Sequence, residues 1–365
     1  MTSSALRVSH STLQPFVKLA DPSMYVACGW DLNADREGLF YWVEFFKRHA
    51  RTILKLGTEV ATARGEDAAA VAGRGRAMLA EFDAFFDAVV ADPPKFGRPV
   101  TILSLDVWRD QILRRHAFVD PFLDLKDREN AKMLPLVPVV CRQIDAITDE
   151  AEQVRAVVEG VFAGNIFDMG AEATAKAFVN GSPDFFATRA GLTPRPWLID
   201  DYDAFAAALR RGYRKCVFFI DNAGSDFLLG AIPFVRWLAR RGTRVVVAAN
   251  ERPTLNDMTI HDVAAWWPRV LAAEPSLADL PIDRVSTGTG EPLIDLLGVS
   301  PELNAAAADA DLVIIEGMGR GVESNLDARF NCDAANLAMI KDAMIAKRNG
   351  GKVFDVVCRF RTAGR

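Results

Sequence analysis

The chain has 365 residues, half of them apolar and a quarter charged, which gives one or two soluble domains ample core. Its net charge of −5 argues against a nucleic-acid or anionic-membrane surface, and no segment approaches the ~18 consecutive apolar residues of a membrane span. The five scattered cysteines offer no zinc spacing and suit a reducing compartment, while residues 1–17 lack the order of a secretory signal, so the cytoplasm is the expected location.

The first half reads as helical. From Asp35 to Arg64 apolar residues (Phe40, Trp42, Val43, Phe46, Ile53, Leu54) recur near the helical period with charges on the other face. A second helix is expected over Asp67–Val90. Beyond the break Asp92-Pro93-Pro94-Lys95 come Asp106–His116, Glu129–Ile147 and Asp149–Phe162, with Pro135 and Pro138 dividing the middle one. Near Thr193-Pro194-Arg195-Pro196 the pattern changes to strand–helix alternation. Strands are expected at Trp197–Ile199, Cys216–Ile220, Arg244–Ala249, Arg284–Ser286, Leu312–Ile315 and Leu337–Ile340, with Lys352–Phe360 closing the chain. Helices fall at Tyr202–Arg211, Asp226–Arg241 (with Gly242 as C-cap) and Met258–Ala272. The expectation is a helical N-terminal subdomain, 1–190, on a Rossmann-like α/β catalytic domain, 191–365, built as a three-layer α/β/α, mostly parallel sheet.

Chemistry concentrates where strands end. The run Cys216–Ile220 closes in Asp221-Asn222-Ala223-Gly224-Ser225-Asp226, and Arg244–Ala249 closes in Asn250 through Asp257. Open parallel sheets bind ligands outside their carboxyl ends. Two carboxylates and an amide, without His or Cys, suit a hard divalent ion, so Asp221, Asn222 and Asp257 are candidate metal ligands. Singly, each has a plainer reading as an Asx turn or a helix N-cap. Their matching positions on successive strands favour the metal. Asp226 reads either as a helix-start acid or as a carboxylate orienting a ligand. A third strand ends in Glu316-Gly317-Met318-Gly319-Arg320-Gly321, where glycines admit an anion to the backbone and Arg320 can grip phosphate. The late position and the interruption at Ser324-Asn325 set this apart from a dinucleotide fingerprint. Lys341, after Leu337–Ile340, lies on the same sheet edge as the acids and can anchor phosphate. Gly164-Asn165-Ile166-Phe167-Asp168 adds an amide and an acid at a break between helices.

The four histidines are isolated, which removes HExxH and Ser/His/Asp arrangements. There is no GxxxxGK[ST] motif, and Asp221 is followed at the second position by Ala223, which departs from the Asp-x-Asp of haloacid-dehalogenase phosphatases.

Taken together, Asp221–Asp226, Asn250–Asp257 and above all Glu316-Gly317-Met318-Gly319-Arg320 resemble the damage-control phosphatase family, in which the last string marks subfamily II. The likeness spans nearly the whole chain and implies a stand-alone, metal-dependent phosphatase of 4′-phosphopantetheine that favours oxidised or damaged forms. It places the metal on Asp221, Asn222 and Asp257, with Mn²⁺, Mg²⁺, Co²⁺ or Ni²⁺ as the ion. It puts substrate contacts on Lys341 and the Gly164–Asp168 segment, including Asn165 and Asp168. Asn250, Gly317, Met318, Gly319 and Arg320 complete the expected substrate contacts. Attack would come from Asp221 or from water, with Glu316 or Asp226 moving the proton. The expected partner is a small phosphorylated metabolite. The alternatives are a sugar-phosphate phosphatase or carboxyl methyltransferase on the same scaffold, and a metabolite-binding protein without turnover.

Overall fold

The computed structural model describes residues 13–165 and 185–363. The helical half begins with α1 (Arg36–Ala63), α2 (Ala68–Ala91) and α3 (Ile102–Arg115). Each start has the cap its sequence offers: Asp35, Asp67 and Thr101 accept backbone N–H groups of the first turn. The stretch expected as one helix is broken at its prolines. α4 (Leu123–Met133) passes through a 3₁₀ turn, Leu134–Leu136, into α5 (Val137–Asp145), because Pro cannot donate to the preceding turn. α6 (Glu150–Asn165) follows, then α7 (Phe185–Ala190).

Seven strands form one sheet among the described residues: β1 (Ile199–Asp200), β2 (Lys215–Phe219), β3 (Arg244–Ala249), β4 (Ile282–Ser286), β5 (Leu312–Glu316), β6 (Asp333–Met339) and β7 (Val356–Arg361). Their order is β1-β7-β6-β5-β2-β3-β4. β6, β5, β2, β3 and β4 pair in parallel, whereas β7 runs antiparallel to β6 and carries β1 parallel to itself. The intervening helices are α8 (Tyr202–Arg211), α9 (Ile232–Arg240), α10 (Ile260–Ala273), α11 (Pro301–Ala307) and α12 (Ala343–Arg348). β2 and β5 are buried along their whole length, the pattern of strands covered on both faces.

Several boundaries differ from expectation: the helix expected from Asp106 starts at Ile102, that expected from Glu129 at Leu123, and the strand expected from Leu337 at Asp333, and two further differences have a visible cause. The helix expected over Asp226–Arg241 opens as a π-helical turn, Asp226–Ala231, before α9. The cause is close approach: Gly164 and Gly160 of α6 lie against the backbone of Ser225, Asp226 and Gly230. The closing strand starts only at Val356, since Phe354 and Asp355 turn back to bond Ile340.

The chain passes from β2 outward through β3 and β4, then returns to the other side of β2 as β5. That reversal leaves a crevice above the carboxyl ends of β2 and β5. One hydrophobic cluster joins α5 and α6 to the inner sheet, including Val158, Phe162, Phe218 and Ile314. A second joins α1–α3 to Ala338 of β6, Val357 of β7 and Ile340 just beyond β6. The helical half is thereby held over the crevice.

Candidate active site

β2 delivers Asp221 and Asn222 to the switch point, and the loop after β3 folds back over them. Met258 donates its N–H to the Asp221 carbonyl (2.9 Å) and Ala223 donates to the Asn256 carbonyl (2.9 Å). This ladder pairs Asn222 with Asp257 across an antiparallel bridge. The N-cap of α10 is Thr259, in a capping box with Asp262, so Asp257 has no capping duty. Asp221, Asn222 and Asp257, distant in sequence, line one cavity of about 330 Å³.

The glycine loop closes the other side. Gly317 has φ of +96°, a backbone shape that L-residues seldom adopt. A Cβ there would sit 2.1 Å from Asp221 Oδ2. The following residues, Met318–Ser324, form a π-helical turn, braced by Asn336 Nδ2 to the Gly321 carbonyl and Asn325 Nδ2 to the Arg320 carbonyl. Arg320, 1% exposed, does not face the cavity. Its Nη1 donates to Asp221 Oδ1, and its Nη2 donates to Asp257 Oδ2 at 2.7 Å. Burial works against its charge, but the Asp257 and Asp221 carboxylates win and hold its pKa above the usual value.

Behind this wall is a layer of buried polar groups. Asn222 donates from its backbone N–H (3.2 Å) and Nδ2 (3.0 Å) to Asp226 Oδ2, and from Nδ2 to Asp221 Oδ2 (2.8 Å). Asn165, at the end of α6, donates to Asp226 Oδ2 (2.9 Å) and accepts from the Met339 N–H (3.3 Å). Glu316 is fully buried, and among the described residues neither of its oxygens has a hydrogen-bond partner. Burial, then the charge of Asp226, push its pKa well above the carboxylate range. Asn250 Nδ2 donates to Asp257 Oδ2 at 3.1 Å.

The expected site residues thus separate into two layers. Asp221, Asn222, Asp257, Met318, Gly319 and Lys341 line the cavity; Asp226, Glu316, Asn165, Asn250, Gly317 and Arg320 stand behind them. Asp168 lies outside the described residues. Lys341 comes from the end of β6, and its Nζ donates to the Asn165 carbonyl at 2.9 Å.

The helical half supplies groups that periodicity had hidden. Asp106 and Arg109 of α3 line the same cavity, with Arg109 donating to Asp106, to Asp110 Oδ1 (2.8 Å) and to Thr254 Oγ1 (2.9 Å). Burial, only partly offset by Arg109, raises the Asp106 pKa to about 7. A reading by helical period assigns such charges to the solvent face; the one signal was three charged residues, Asp106, Arg109 and Asp110, within five positions. Glu323 and Asp342 also line the cavity, and burial followed by the Asp342 charge raises Glu323.

The donor set fits a divalent cation. Among the described residues, five carboxylates (Asp106, Asp221, Asp257, Glu323, Asp342) line the cavity with two cations, Arg109 and Lys341, and Arg320 stands behind Asp221 and Asp257. Burial, with the charges of Asp257 and Asp226 added, drives the Asp221 pKa well up against Arg320. A phosphate dianion brought to such a surface meets net repulsion. A divalent ion held by oxygen ligands alone is the physical remedy, and oxygen-only donors suit Mg²⁺ or Mn²⁺ rather than zinc. Among the described residues, no group of three or more His, Cys, Asp or Glu forms a metal cluster, so the amide of Asn222 would have to complete the set.

Comparison with known proteins gives the class. The family model for the damage-control phosphatase ARMT1-like domain matches residues 64–357. A damage-control phosphatase of Arabidopsis thaliana is 41% identical over 273 residues, covering 74% of each chain. The 4′-phosphopantetheine phosphatase of Mus musculus is 30% identical over 398 residues, covering 94% of this chain and 48% of that protein. This chain therefore spans about half the length of the mouse relative. Among solved structures, a DUF89 family protein of Pyrococcus horikoshii superposes with a TM-score of 0.61 at 16% identity, covering 89% of this chain and 98% of that one, a likeness of fold. The chain belongs to the damage-control phosphatase family with an ARMT1-like domain. No helix among the described residues is long and apolar enough to cross a membrane.

Proposed function

We propose that this chain is a cytoplasmic, metal-dependent phosphatase that hydrolyses 4′-phosphopantetheine and favours its oxidised or otherwise damaged forms. The observation that carries the reading is the convergence of Asp221, Asn222, Asp257 and Lys341 on one cavity at the switch point. The name of the mouse relative supports the substrate.

Asp221, Asn222 and Asp257 would hold the ion, with Mn²⁺, Mg²⁺, Co²⁺ and Ni²⁺ as candidates. When bound, a divalent ion supplies positive charge for the phosphoryl oxygens and acidifies a coordinated water. Lys341 then anchors a phosphoryl oxygen, its Nζ already directed by the Asn165 carbonyl. Arg320 keeps Asp221 and Asp257 apart and compensated. Asp226 fixes the Asn222 amide, a positioning role behind the reacting atoms, and Glu316 is buried in the same layer. Hydrolysis forms one P–O bond and breaks the ester P–O bond, and over the whole cycle water gives its oxygen to phosphorus and a proton to the departing alcohol oxygen. The attacking oxygen belongs either to Asp221, giving an acyl phosphate that water then cleaves, or to water itself. Borohydride reduction during a single turnover separates the routes: conversion of Asp221 to homoserine identifies the acyl phosphate.

The deciding experiment strips the protein with EDTA and follows phosphate release from 4′-phosphopantetheine and its S-sulfonate as each ion is returned. Metal-dependent release, faster on the oxidised ester, is expected. Absence of release with every ion, from folded protein, refutes the reading. Asp221→Asn should retain the fold and lose activity by several orders of magnitude.

A further inference from the structure

The cavity has a second wall that the chemistry above does not use. α1 presents Tyr41, Phe45 and His49 to it at i, i+4 and i+8, one stripe of the helix. A stripe of this kind is normally core, but these three remain half-buried while Trp42 and Phe46 beside them are buried outright. The stripe is rigidly mounted. Tyr41 Oη donates to Asp342 Oδ2 at 2.6 Å, next to Lys341. Phe45 lies between Trp42 (5.5 Å, edge-on) and His49 (5.6 Å), and His49 stands 6.4 Å from Phe122. Leu255, Leu293 and Val353 add further apolar lining. The cavity therefore combines its charged groups with one aromatic and aliphatic wall, formed by α1 with Leu255, Leu293 and Val353.

Resting on the reading of this cavity as a phosphomonoester site, we infer that the Tyr41–Phe45–His49 face of α1 selects the alcohol portion of the ester. It accepts an elongated, largely apolar arm, because methylenes with a few neutral amides gain contact area against Phe45 and its apolar neighbours. On this inference the N-terminal helices carry the specificity and the sheet carries the reaction.

The test compares kcat/KM for 4′-phosphopantetheine with that for glycerol 3-phosphate, in the parent protein and in Phe45→Ala. The ratio should fall about tenfold in the variant, mostly through KM for the long ester, and Phe45→Leu should recover much of it. A ratio within about twofold of the parent overturns the inference. Calorimetric titration of the metal-free protein with pantetheine, which has no phosphate, is the independent arm. Binding that weakens in Phe45→Ala supports the inference even if the parent hydrolyses no ester with any ion, the outcome that refutes the phosphatase reading alone. Lack of pantetheine binding to the parent overturns the inference, whatever the phosphatase assay shows. Melting curves confirm that each variant is folded.

Discussion

Replacing Arg320 with Met removes a guanidinium but keeps most of its carbon volume, so the change isolates charge from packing. Arg320 is 1% exposed and donates to Asp221 Oδ1 and Asp257 Oδ2, leaving two buried carboxylates without a cation when it is gone. Breaking a buried pair by deleting one partner costs about 3–5 kcal/mol. With an unfolding entropy near ~2.1 cal/mol/K per residue over 365 residues, a loss of about 4 kcal/mol lowers Tm by roughly 5 °C. The assay is thermal unfolding in EDTA, followed by circular dichroism, and then repeated with Mn²⁺. A divalent ion at Asp221, Asn222 and Asp257 supplies the missing positive charge, and it no longer faces repulsion from the guanidinium. The rise in Tm on adding Mn²⁺ should therefore be larger in Arg320→Met than in the parent, even as turnover falls. A variant that loses under about 1 kcal/mol in EDTA shows the pair to be energetically idle. A smaller metal-induced rise than the parent's places the ion elsewhere.

Three further outcomes can be checked directly. Gly317→Ala puts a methyl 2.1 Å from Asp221 Oδ2 and a side chain on a φ of +96°; both activity and metal-induced stabilisation should be lost, with a drop of several kcal/mol in urea unfolding (roughly the 1–3 of backbone strain plus the clash). Asp106 has a folded pKa of about 7 against its ordinary 3.8, so its contribution to stability is fully present below pH 3.8 and is lost as pH rises through 7. In EDTA, Asp106→Asn should flatten the decline between those values, worth at most about 4 kcal/mol, and an unchanged pH profile in urea titrations would show that this carboxyl does not titrate there. Asp257→Asn should abolish the Tm rise produced by divalent ions, and a full rise would remove Asp257 from the ligand set.

The strands at the centre of the sheet were legible because their residues answer only to local physics. Short β-branched and aromatic runs such as Cys216–Ile220, closed by Asp-Asn, have nowhere to go but a doubly covered strand. Asp221 and Asn222 followed from that, since a strand's end fixes which residue meets the crevice, whereas Asp257 is carried there by the loop that folds back after β3. Helix limits in the N-terminal half were legible at their caps, Asp35 and Asp67, and at Pro135 and Pro138. The π-turn at Asp226–Ala231 was not, because it comes from the close approach of α6, whose Gly160 and Gly164 say nothing of their partner. The reversed direction of β7 was hidden too, as strand direction is a property of pairing.

At the site itself, the sequence determined which side chains could hold a cation and which backbone could bend at Gly317. Tertiary structure decided the layering: Arg320 turned inward onto two carboxylates, Glu316 and Asp226 stood behind the wall, and Asp106, Arg109 and the α1 face came over the cavity. A sequence fixes the chemistry of each side chain and the period of each element. Which of two faces becomes a cavity wall depends on helices packing across more than a hundred residues of chain, as Arg109 does against Thr254, and no local pattern encodes that meeting.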